Sequence, residues 1–148
     1  MSTTKIKDIM TGHPTMIGPQ DKVDEAARRM KTVDCGCLPV GTDSDVVGIV
    51  TDRDITLRVI AEGRDPKTTL VQDVMTKGAY TIDQDSDVED AAAEMKARQV
   101  ARLVVTNRKK VTGIVTLAEI LRDAASGSHG PKVLRELAKA RPGHHAAH

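Results

Sequence analysis

Hydrophobic and polar positions along the chain form one series of predicted elements that occurs twice. Residues 37–41 and 46–50 are apolar, β-branched runs separated by a polar turn, and this pattern predicts a β-hairpin. Residues 102–106 and 111–115 repeat it. An amphipathic helix is predicted before each hairpin, because apolar residues recur there at three- and four-residue spacing. These stripes are Val23, Ala26, Ala27, Met30 and Val33 in the first half, and Val88, Ala91, Ala92 and Met95 in the second.

Short local signals complete each half. Residues 15–17 and 80–82 are predicted to be extended, and Asp21 and Ser86 are the expected N-caps of the amphipathic helices. The spacing from Ser86 to Glu89 is typical of a capping box. A second helix is predicted to follow each hairpin. Each half is therefore a β-α-β-β-α unit.

The two halves are an internal repeat, because residues 5–61 align with residues 70–126 at a constant shift of 65 positions without a gap. Matching positions include Asp8, Ile9, Met10 and Thr11, which fall on Asp73, Val74, Met75 and Thr76; we call these tetrapeptides the first and the second opener. A unit of about 55 residues buries only a marginal core alone, so we expect the two units to pack pseudo-symmetrically through their sheets. The predicted class is α/β (α+β).

Changes of composition divide the chain further. Gly63 is a plausible helix C-cap and Pro66 prevents the helix from continuing, so a linker separates the repeats. A Gly- and Ser-rich hinge precedes a possible short helix at residues 132–140. The predicted segments are repeat 1 at 5–61, the linker at 62–69, repeat 2 at 70–125 and a tail at 126–148.

Each hairpin ends at a threonine that is followed three residues later by an acid. These pairs are Thr51 with Asp54 and Thr116 with Glu119, and we call the two turns the first and the second corner. The spacing is that of a capping box, and helix capping alone is one interpretation of it. A helix N-terminus also attracts phosphate, and a carboxylate accepts hydrogen bonds from ribose hydroxyls. The repeated motif therefore favours a nucleotide-type site at each corner.

Composition excludes several classes of function. The formal net charge is +1 and Tyr80 is the only aromatic residue, so neither charge nor stacking favours single-stranded nucleic acid as a partner. No apolar run reaches the roughly 18 residues of a membrane span, and the first residues lack the apolar segment of a signal peptide. With two cysteines and no export signal, a cytoplasmic protein is expected. No Ser-His-Asp order, P-loop or Gly-x-Gly-x-x-Gly pattern is present, so no enzyme activity is predicted.

Cys35 and Cys37 suggest a different function. Two thiols in an extended segment lie on one face, and His13 could approach them, which would suit zinc. The alternative is that both are small buried hydrophobic residues at a strand start. A metal- or redox-responsive protein that uses these three residues, or a ligand-free interaction scaffold, therefore stays open. The tail residues His144, His145 and His148 could chelate a metal weakly.

The openers, together with two hairpins that close on Gly-h-h-Thr-x-x-acid (h is apolar), resemble a CBS-domain pair, or Bateman module, over about residues 5–125. The continuation through Pro66 is similar to stand-alone bacterial CBS-pair proteins, including hypoxia- and stress-induced ones. The resemblance implies a non-enzymatic regulatory sensor that binds AMP, ADP, ATP or S-adenosylmethionine in two clefts between the repeats. It also implies a homodimer that signals through its dimer or partner surface, with the adenine nucleotide as ligand and no required cofactor.

Carried onto this sequence, the resemblance assigns binding roles to both corners. The first corner matches the family pattern, but Met16 stands where the family often has a hydroxyl residue. In the second half Thr81 supplies that hydroxyl, whereas Glu119 replaces the usual aspartate. Arg53 and Arg102 are the cations expected at a phosphate, with solvated surface arginines as the alternative. The residues expected to line the base or phosphate side are Gly36, Cys37, Leu38, Ala101, Arg102 and Leu103.

Overall fold

The computed structural model describes residues 4–126 and residue 131, and the chain divides into two compact units. The central unit is Pro14–Ala79, and the terminal unit joins the described residues up to His13 with the described residues from Tyr80 onward. The helix predicted at residues 132–140 and the three tail histidines lie outside the described residues. Within the described part of the chain, no helix is both long enough and apolar enough to cross a membrane.

Helices and strands follow the predicted order, with short additional elements at the openers. The exception is the extended piece predicted at residues 15–17, which forms only an isolated parallel bridge between Ile17 and Val40. The elements are α1 (Ile6–Ile9), β1 (Thr11–Gly12), α2 (Val23–Val33), β2 (Cys37–Thr42), β3 (Asp45–Thr51), α3 (Asp52–Ile55), β4 (Thr76–Lys77), β5 (Thr81–Asp83), α4 (Val88–Arg98), β6 (Arg102–Asn107), β7 (Lys110–Thr116) and α5 (Leu117–Ser126). Thr56–Ile60 continues α3 as a π-helical segment, and Val71–Asp73 is a short 3-10 helix. The mixed α/β class predicted from the sequence is confirmed.

The central unit is built on a three-stranded sheet in the order β2-β3-β4. The predicted hairpin pairs Cys37 with Thr51 and Leu38 with Val50. Alternate side chains of the hairpin pack with α2 in one apolar core, as period-two and period-3.6 burial require. This core consists of Ile17, Val23, Ala26, Met30, Leu38, Val40, Val50, Val59, Val71 and Val74.

The terminal unit has a four-stranded sheet in the order β1-β7-β6-β5. Its hairpin pairs Arg102 with Thr116 and Leu103 with Val115, and β5 runs parallel to β6. Helices α1, α4 and α5 pack with one face of the hairpin. The resulting core consists of Ile6, Ile82, Val88, Ala91, Ala92, Met95, Leu103, Val105, Val115, Ile120 and Ala124.

Each opener belongs to the unit that contains the hairpin of the other repeat. Thr11 pairs with Ile114 in the terminal unit, and Thr76 pairs with Ile49 in the central unit. The compact units therefore divide the chain differently from the sequence repeats predicted at 5–61 and 70–125. Backbone pairing with a distant hairpin, which sequence alignment does not report, produces this difference.

The helix caps differ from the prediction by one residue. The N-caps are Lys22 for α2 and Asp87 for α4, instead of Asp21 and Ser86. Both observed caps are extended and form isolated bridges, Lys22 with Leu70 and Asp87 with Lys5, so each helix begins one residue later. The capping box of α4 is formed by Asp87 and Asp90, not by Ser86 and Glu89.

Two equivalent glycines let the openers approach the hairpins. A Cβ atom on Gly113 would lie 2.8 Å from the carbonyl oxygen of Thr11 and 2.5 Å from the sulfur of Met10. A Cβ atom on Gly48 would lie 2.6 Å from the carbonyl oxygen of Thr76. Real Cβ atoms do not come this close to backbone oxygens, so a larger residue would displace the opener strand.

We expect Gly113→Ala to lower the free energy of unfolding by about 1–3 kcal/mol, because its methyl group would overlap the backbone of β1. The matched control is Gly12→Ala on the paired position, where a Cβ atom would meet nothing closer than the carbonyl oxygen of Thr112 at 3.9 Å. That control is expected to change stability by less than about 0.5 kcal/mol. Urea denaturation measures both, and equal losses would contradict the close approach.

Candidate functional site

The first corner is a complete capping box. The Thr51 hydroxyl accepts a hydrogen bond from the backbone N–H of Asp54 at 3.0 Å, and the Asp54 Oδ2 accepts one from the backbone N–H of Thr51 at 3.0 Å. Both residues are buried, with 2% of Thr51 and 8% of Asp54 exposed. The predicted cap of α3 is therefore present, and one carboxylate oxygen of Asp54 is used by the fold.

The other carboxylate oxygen of Asp54 also has protein partners. The Thr76 hydroxyl donates to Oδ1 at 3.4 Å, and the Arg58 Nε lies 3.9 Å from the same atom. The Arg58 Nη1 donates to the carbonyl oxygens of Val74 and Met75 at 3.0 and 3.1 Å. The first corner is thus tied by its own side chains to the second opener.

The second corner has the same local bonds but is more open. The Thr116 hydroxyl donates to Glu119 Oε1 at 3.0 Å and accepts from the Glu119 backbone N–H at 3.3 Å. Thr11 of the first opener also contributes a side-chain hydrogen bond to the Glu119 carboxylate. Thr116 and Glu119 are half-buried, unlike their buried counterparts in the first corner.

Burial raises the pKa of the Glu119 carboxyl above its ordinary value. Hydrogen bonds from Thr116 and Thr11 and the positive charge of Arg122 favour the ionised form, but they do not cancel the cost of burial. The ionised carboxylate is therefore under-stabilised, and it gains from any further hydrogen-bond donor that reaches it.

Arg102 lies on the strand next to the second corner, directly opposite Thr116. It is the first residue of β6 and the register partner of Thr116. Leu103 and Val105 face the helix-side core, so the alternation along a strand directs Arg102 and Val104 to the opposite face. The Nε and Nη1 atoms of Arg102 are buried and have no hydrogen-bond partner among the described residues. In the first half Cys37 holds the equivalent position, opposite Thr51.

The residue before each hairpin hydrogen-bonds through its backbone to the first residue of the helix at the corresponding corner. The carbonyl oxygen of Gly36 accepts from the N–H of Asp52 at 2.9 Å, and that of Ala101 accepts from the N–H of Leu117 at 2.8 Å. These predicted site residues therefore lie beside the corners. Two others, Leu38 and Leu103, have their side chains in the helix-side cores. Only their backbone groups are therefore available to a ligand at a corner.

The remaining predicted residues are spread over both units. Met16 is half-buried, and its carbonyl oxygen accepts from Arg29 Nη1 at 2.6 Å. Thr81 is exposed at the start of β5, and Arg53 is exposed on α3. Sequence reasoning missed Arg58 as a partner of the first corner. It also missed the opener threonines at both acids, although their equivalent positions in the repeat were a usable signal.

The two cysteines lie side by side in the central unit. The Sγ atoms of Cys35 and Cys37 are 3.8 Å apart, and the Cys35 thiol donates to the carbonyl oxygen of Cys37 at 3.2 Å. His13 belongs to the terminal unit. In the part of the chain that the structure describes, no three His, Cys, Asp or Glu residues form a cluster suited to a metal ion.

A shallow groove of about 380 Å³ on the central unit is lined by residues of α2 and the segment before it. Its two arginines, Arg28 and Arg29, are both paired with Glu25. Because these cations already have a carboxylate partner, the groove offers no unpaired charge to a ligand.

Comparison with known proteins identifies the family. The CBS domain model matches residues 6–61 and 71–126, and the chain belongs to the CBS-domain family. It is 37% identical over 139 residues to the uncharacterized protein YlbB of Bacillus subtilis, covering 92% of this chain and 93% of that one. The tandem CBS repeats recognised from the sequence are thus confirmed.

Solved structures share this fold. The crystal structure of Hypoxic Response Protein I with two coordinated zinc ions is 33% identical, with a TM-score of 0.70 over 80% of this chain and 98% of that one. CBSX2 in complex with AMP is 26% identical, with a TM-score of 0.66 over 82% and 96%. The CBS domain pair of MJ0100 in complex with 5′-methylthioadenosine and S-adenosyl-L-methionine is 25% identical, with a TM-score of 0.75 over 84% and 98%.

The raised pKa of Glu119 predicts how stability depends on pH. In the window just above the ordinary glutamate pKa of about 4.3, the folded chain holds a proton that the unfolded chain has released, so stability falls as pH rises through that window. Glu119→Gln removes this titration and is expected to flatten the fall. Thermal midpoints of the two proteins between pH 4 and pH 7 measure it. Parallel pH profiles would contradict the predicted shift.

Proposed function

We propose that this protein is a non-enzymatic regulatory module that binds an adenosine-containing ligand, AMP, ADP, ATP or S-adenosylmethionine, at its Thr-x-x-acid corners. The single observation that carries the proposal is the second corner, where a hydroxyl and a half-exposed carboxylate meet at the N-terminus of α5. Similar CBS structures that hold AMP, 5′-methylthioadenosine or S-adenosylmethionine support this ligand class.

The chemistry of the second corner suits a ribose. The Glu119 carboxylate is an acceptor whose ionised form burial disfavours, and the vicinal ribose hydroxyls would supply the missing donors. The N-terminal end of α5 carries a partial positive charge that favours a nearby phosphate. The second corner thus provides the Glu119 carboxylate for the ribose and the N-terminal end of α5 for the phosphate.

A ligand that binds at a corner would also affect the opener that contacts this corner. Thr11 contacts Glu119, and Thr76 contacts Asp54, so a ligand at either acid competes with an opener threonine. A ligand shifts a conformational equilibrium only through its different affinities for two states. We propose that the opener contact distinguishes those states and that the signal leaves through a dimer or partner surface. Homodimerisation and a stress-related role stay predictions from the family resemblance.

Isothermal titration calorimetry tests the function. Wild-type protein is titrated with AMP, ATP and S-adenosylmethionine, after its absorbance spectrum has been checked for a purine band that one tyrosine cannot produce. We expect binding of at least one of these ligands. We expect Glu119→Ala to weaken it by at least about tenfold, because hydrogen bonds to a charged group are lost.

The matched control for that titration is Glu94→Ala on α4, whose carboxylate pairs with Arg98 on the exposed helix surface. Its affinity should equal that of wild type. The function is refuted if none of the three ligands binds wild-type protein with a clean spectrum. The role of Glu119 is refuted if both variants bind like wild type.

A second candidate function, zinc binding, is favoured by one distance. Two thiolates bound to tetrahedral zinc at about 2.3 Å lie about 3.8 Å apart, and the Cys35 and Cys37 sulfur atoms are 3.8 Å apart. A similar structure, that of Hypoxic Response Protein I, contains two coordinated zinc ions. The other zinc ligands would be water or groups from another molecule, because no third suitable side chain joins the cysteines among the described residues.

For zinc, we expect metal analysis after incubation with Zn²⁺ and desalting to find the ion in wild-type protein. Cys35→Ser and Cys37→Ser should each lose it, because a single remaining thiolate is a weak ligand. Equal zinc content in wild type and both variants would remove this candidate.

A further inference from the structure

The two thiols at the start of β2 lie close enough to react with each other. The sulfur atoms of Cys35 and Cys37 are 3.8 Å apart, and the Cys35 thiol donates a hydrogen bond to the carbonyl oxygen of Cys37. Sulfur atoms in a disulfide lie about 2.05 Å apart, so a shift of about 2 Å within one short segment brings this pair to bonding distance. Gly36, between the cysteines, lies in a bend and gives the backbone the freedom for this shift.

The two thiols differ in their access to solvent. Cys35 is half-buried, whereas only 3% of Cys37 is exposed. A small oxidant from solvent therefore reaches Cys35 first, and Cys37 is the neighbouring thiol that can close a disulfide. Oxidation-sensitive cysteines are typically accessible thiols with a second cysteine beside them. A disulfide here would close a loop of about three residues, for which the entropic stabilisation of a fold is smallest, so a structural cross-link does not explain the pair.

The peptide between the cysteines is bonded to the first corner. The carbonyl oxygen of Gly36 accepts a hydrogen bond from the backbone N–H of Asp52, the first residue of α3, at 2.9 Å. A Cβ atom on Gly36 would lie 2.7 Å from a carboxylate oxygen of Asp52, so this peptide and α3 fit closely. Cys37 is also the register partner of Thr51, which caps α3. A bond between the two sulfur atoms therefore changes the backbone to which the N-terminal end of α3 is attached.

The second repeat makes the same backbone contact without thiols. The carbonyl oxygen of Ala101 accepts a hydrogen bond from the N–H of Leu117 at 2.8 Å. Val100 and Arg102 stand at the positions of the two cysteines, and the chain has no other cysteine. The contact itself thus needs no thiol, and thiol oxidation is confined to the first corner.

We propose that Cys35 and Cys37 are an oxidisable dithiol that hydrogen peroxide converts to a disulfide, and that this disulfide loosens the first corner. The modification goes beyond the proposed function and needs neither a bound nucleotide nor a metal ion. Its structural consequence is the loss of the hydrogen bond from Asp52 to Gly36, because the closing ring rotates the Gly36 peptide.

The oxidation proceeds in two steps. The Cys35 thiolate attacks one peroxide oxygen; an S–O bond forms, the O–O bond breaks, hydroxide leaves and Cys35 becomes a sulfenic acid. The Cys37 thiolate then attacks the Cys35 sulfur; an S–S bond forms, the S–O bond breaks and a second hydroxide leaves. Both hydroxides take up the thiol protons. The two thiols lose two electrons in total, and one hydrogen peroxide is reduced to two water molecules.

Thiol chemistry on the full chain tests the modification. The protein is freed of metal with a chelator, reduced, desalted, treated with hydrogen peroxide and weighed by mass spectrometry with and without alkylation. Wild type should lose both thiols together and the mass of two hydrogen atoms, and dithiothreitol should restore both. Cys37→Ser should stop at the Cys35 sulfenic acid, which dimedone traps. Cys35→Ser should react at least about tenfold more slowly, because its remaining thiol is buried.

Amide hydrogen exchange tests the effect on the corner. Oxidation should speed exchange of the Asp52 amide by at least about tenfold, because this amide loses its acceptor. The matched control is the Leu117 amide, which makes the equivalent bond in the repeat without thiols and should exchange at the same rate before and after oxidation. In Cys35→Ser, the same exposure to peroxide should leave both amides unchanged.

Three results would overturn the inference. One is a stable sulfenic acid, or a disulfide between two chains, in oxidised wild type in place of the internal disulfide. Another is an unchanged Asp52 amide in fully oxidised protein. The third is equal acceleration at Asp52 and Leu117, which would show general unfolding. None of these results bears on nucleotide binding, so the proposed function would stand in each case.

Discussion

The pairing of each opener with a distant hairpin is the contact on which the rest of this structure depends. β1 lies along β7 and β4 lies along β3, at glycines that leave no room for a side chain. The same contact brings the sulfur of Met10 against Gly113 and that of Met75 against Gly48. It also carries an opener threonine to the acid of each corner. One backbone pairing thus explains the glycine, the methionine and the threonine that recur in both repeats.

Burial and charge then give two copies of one motif different properties. In the first corner, the short carboxylate of Asp54 is enclosed, and its two oxygens are bonded to Thr51 and Thr76. In the second, the longer side chain of Glu119 stays half-exposed and its ionised form is disfavoured. On that side, the buried Nε and Nη1 atoms of Arg102 have no hydrogen-bond partner among the described residues. Unpaired polar groups represent free energy that a ligand can recover, which is why the second corner is the better candidate for binding.

Helix capping is the role that both corners share. Each corner must cap its helix, because the threonine bonds satisfy N–H groups that the helix leaves open. Each corner uses the threonine hydroxyl and the backbone N–H of the acid, and one carboxylate oxygen of the acid accepts a hydrogen bond back from the threonine. The end of the acid side chain keeps its second carboxylate oxygen for another role. Whether that end meets protein or ligand is decided by neighbours such as Arg58, which belong to the tertiary structure.

Patterns in the sequence determined most of the secondary structure of this protein. The two hairpins, the amphipathic helices and the Thr-x-x-acid turns follow from spacings within a few residues, and the repeat follows from a constant shift of 65 positions. Each of these features is present in the structure. The tertiary structure alone decided that the openers pair with the other repeat's hairpin, that Lys22 and Asp87 are the N-caps of α2 and α4, and that Arg58 neighbours Asp54. It also decided that the Nε and Nη1 atoms of Arg102 are buried without an acceptor among the described residues. The reason is physical: periodicity records which face of an element is buried, but the partner of a strand edge or of a buried charge comes from residues far away in the chain.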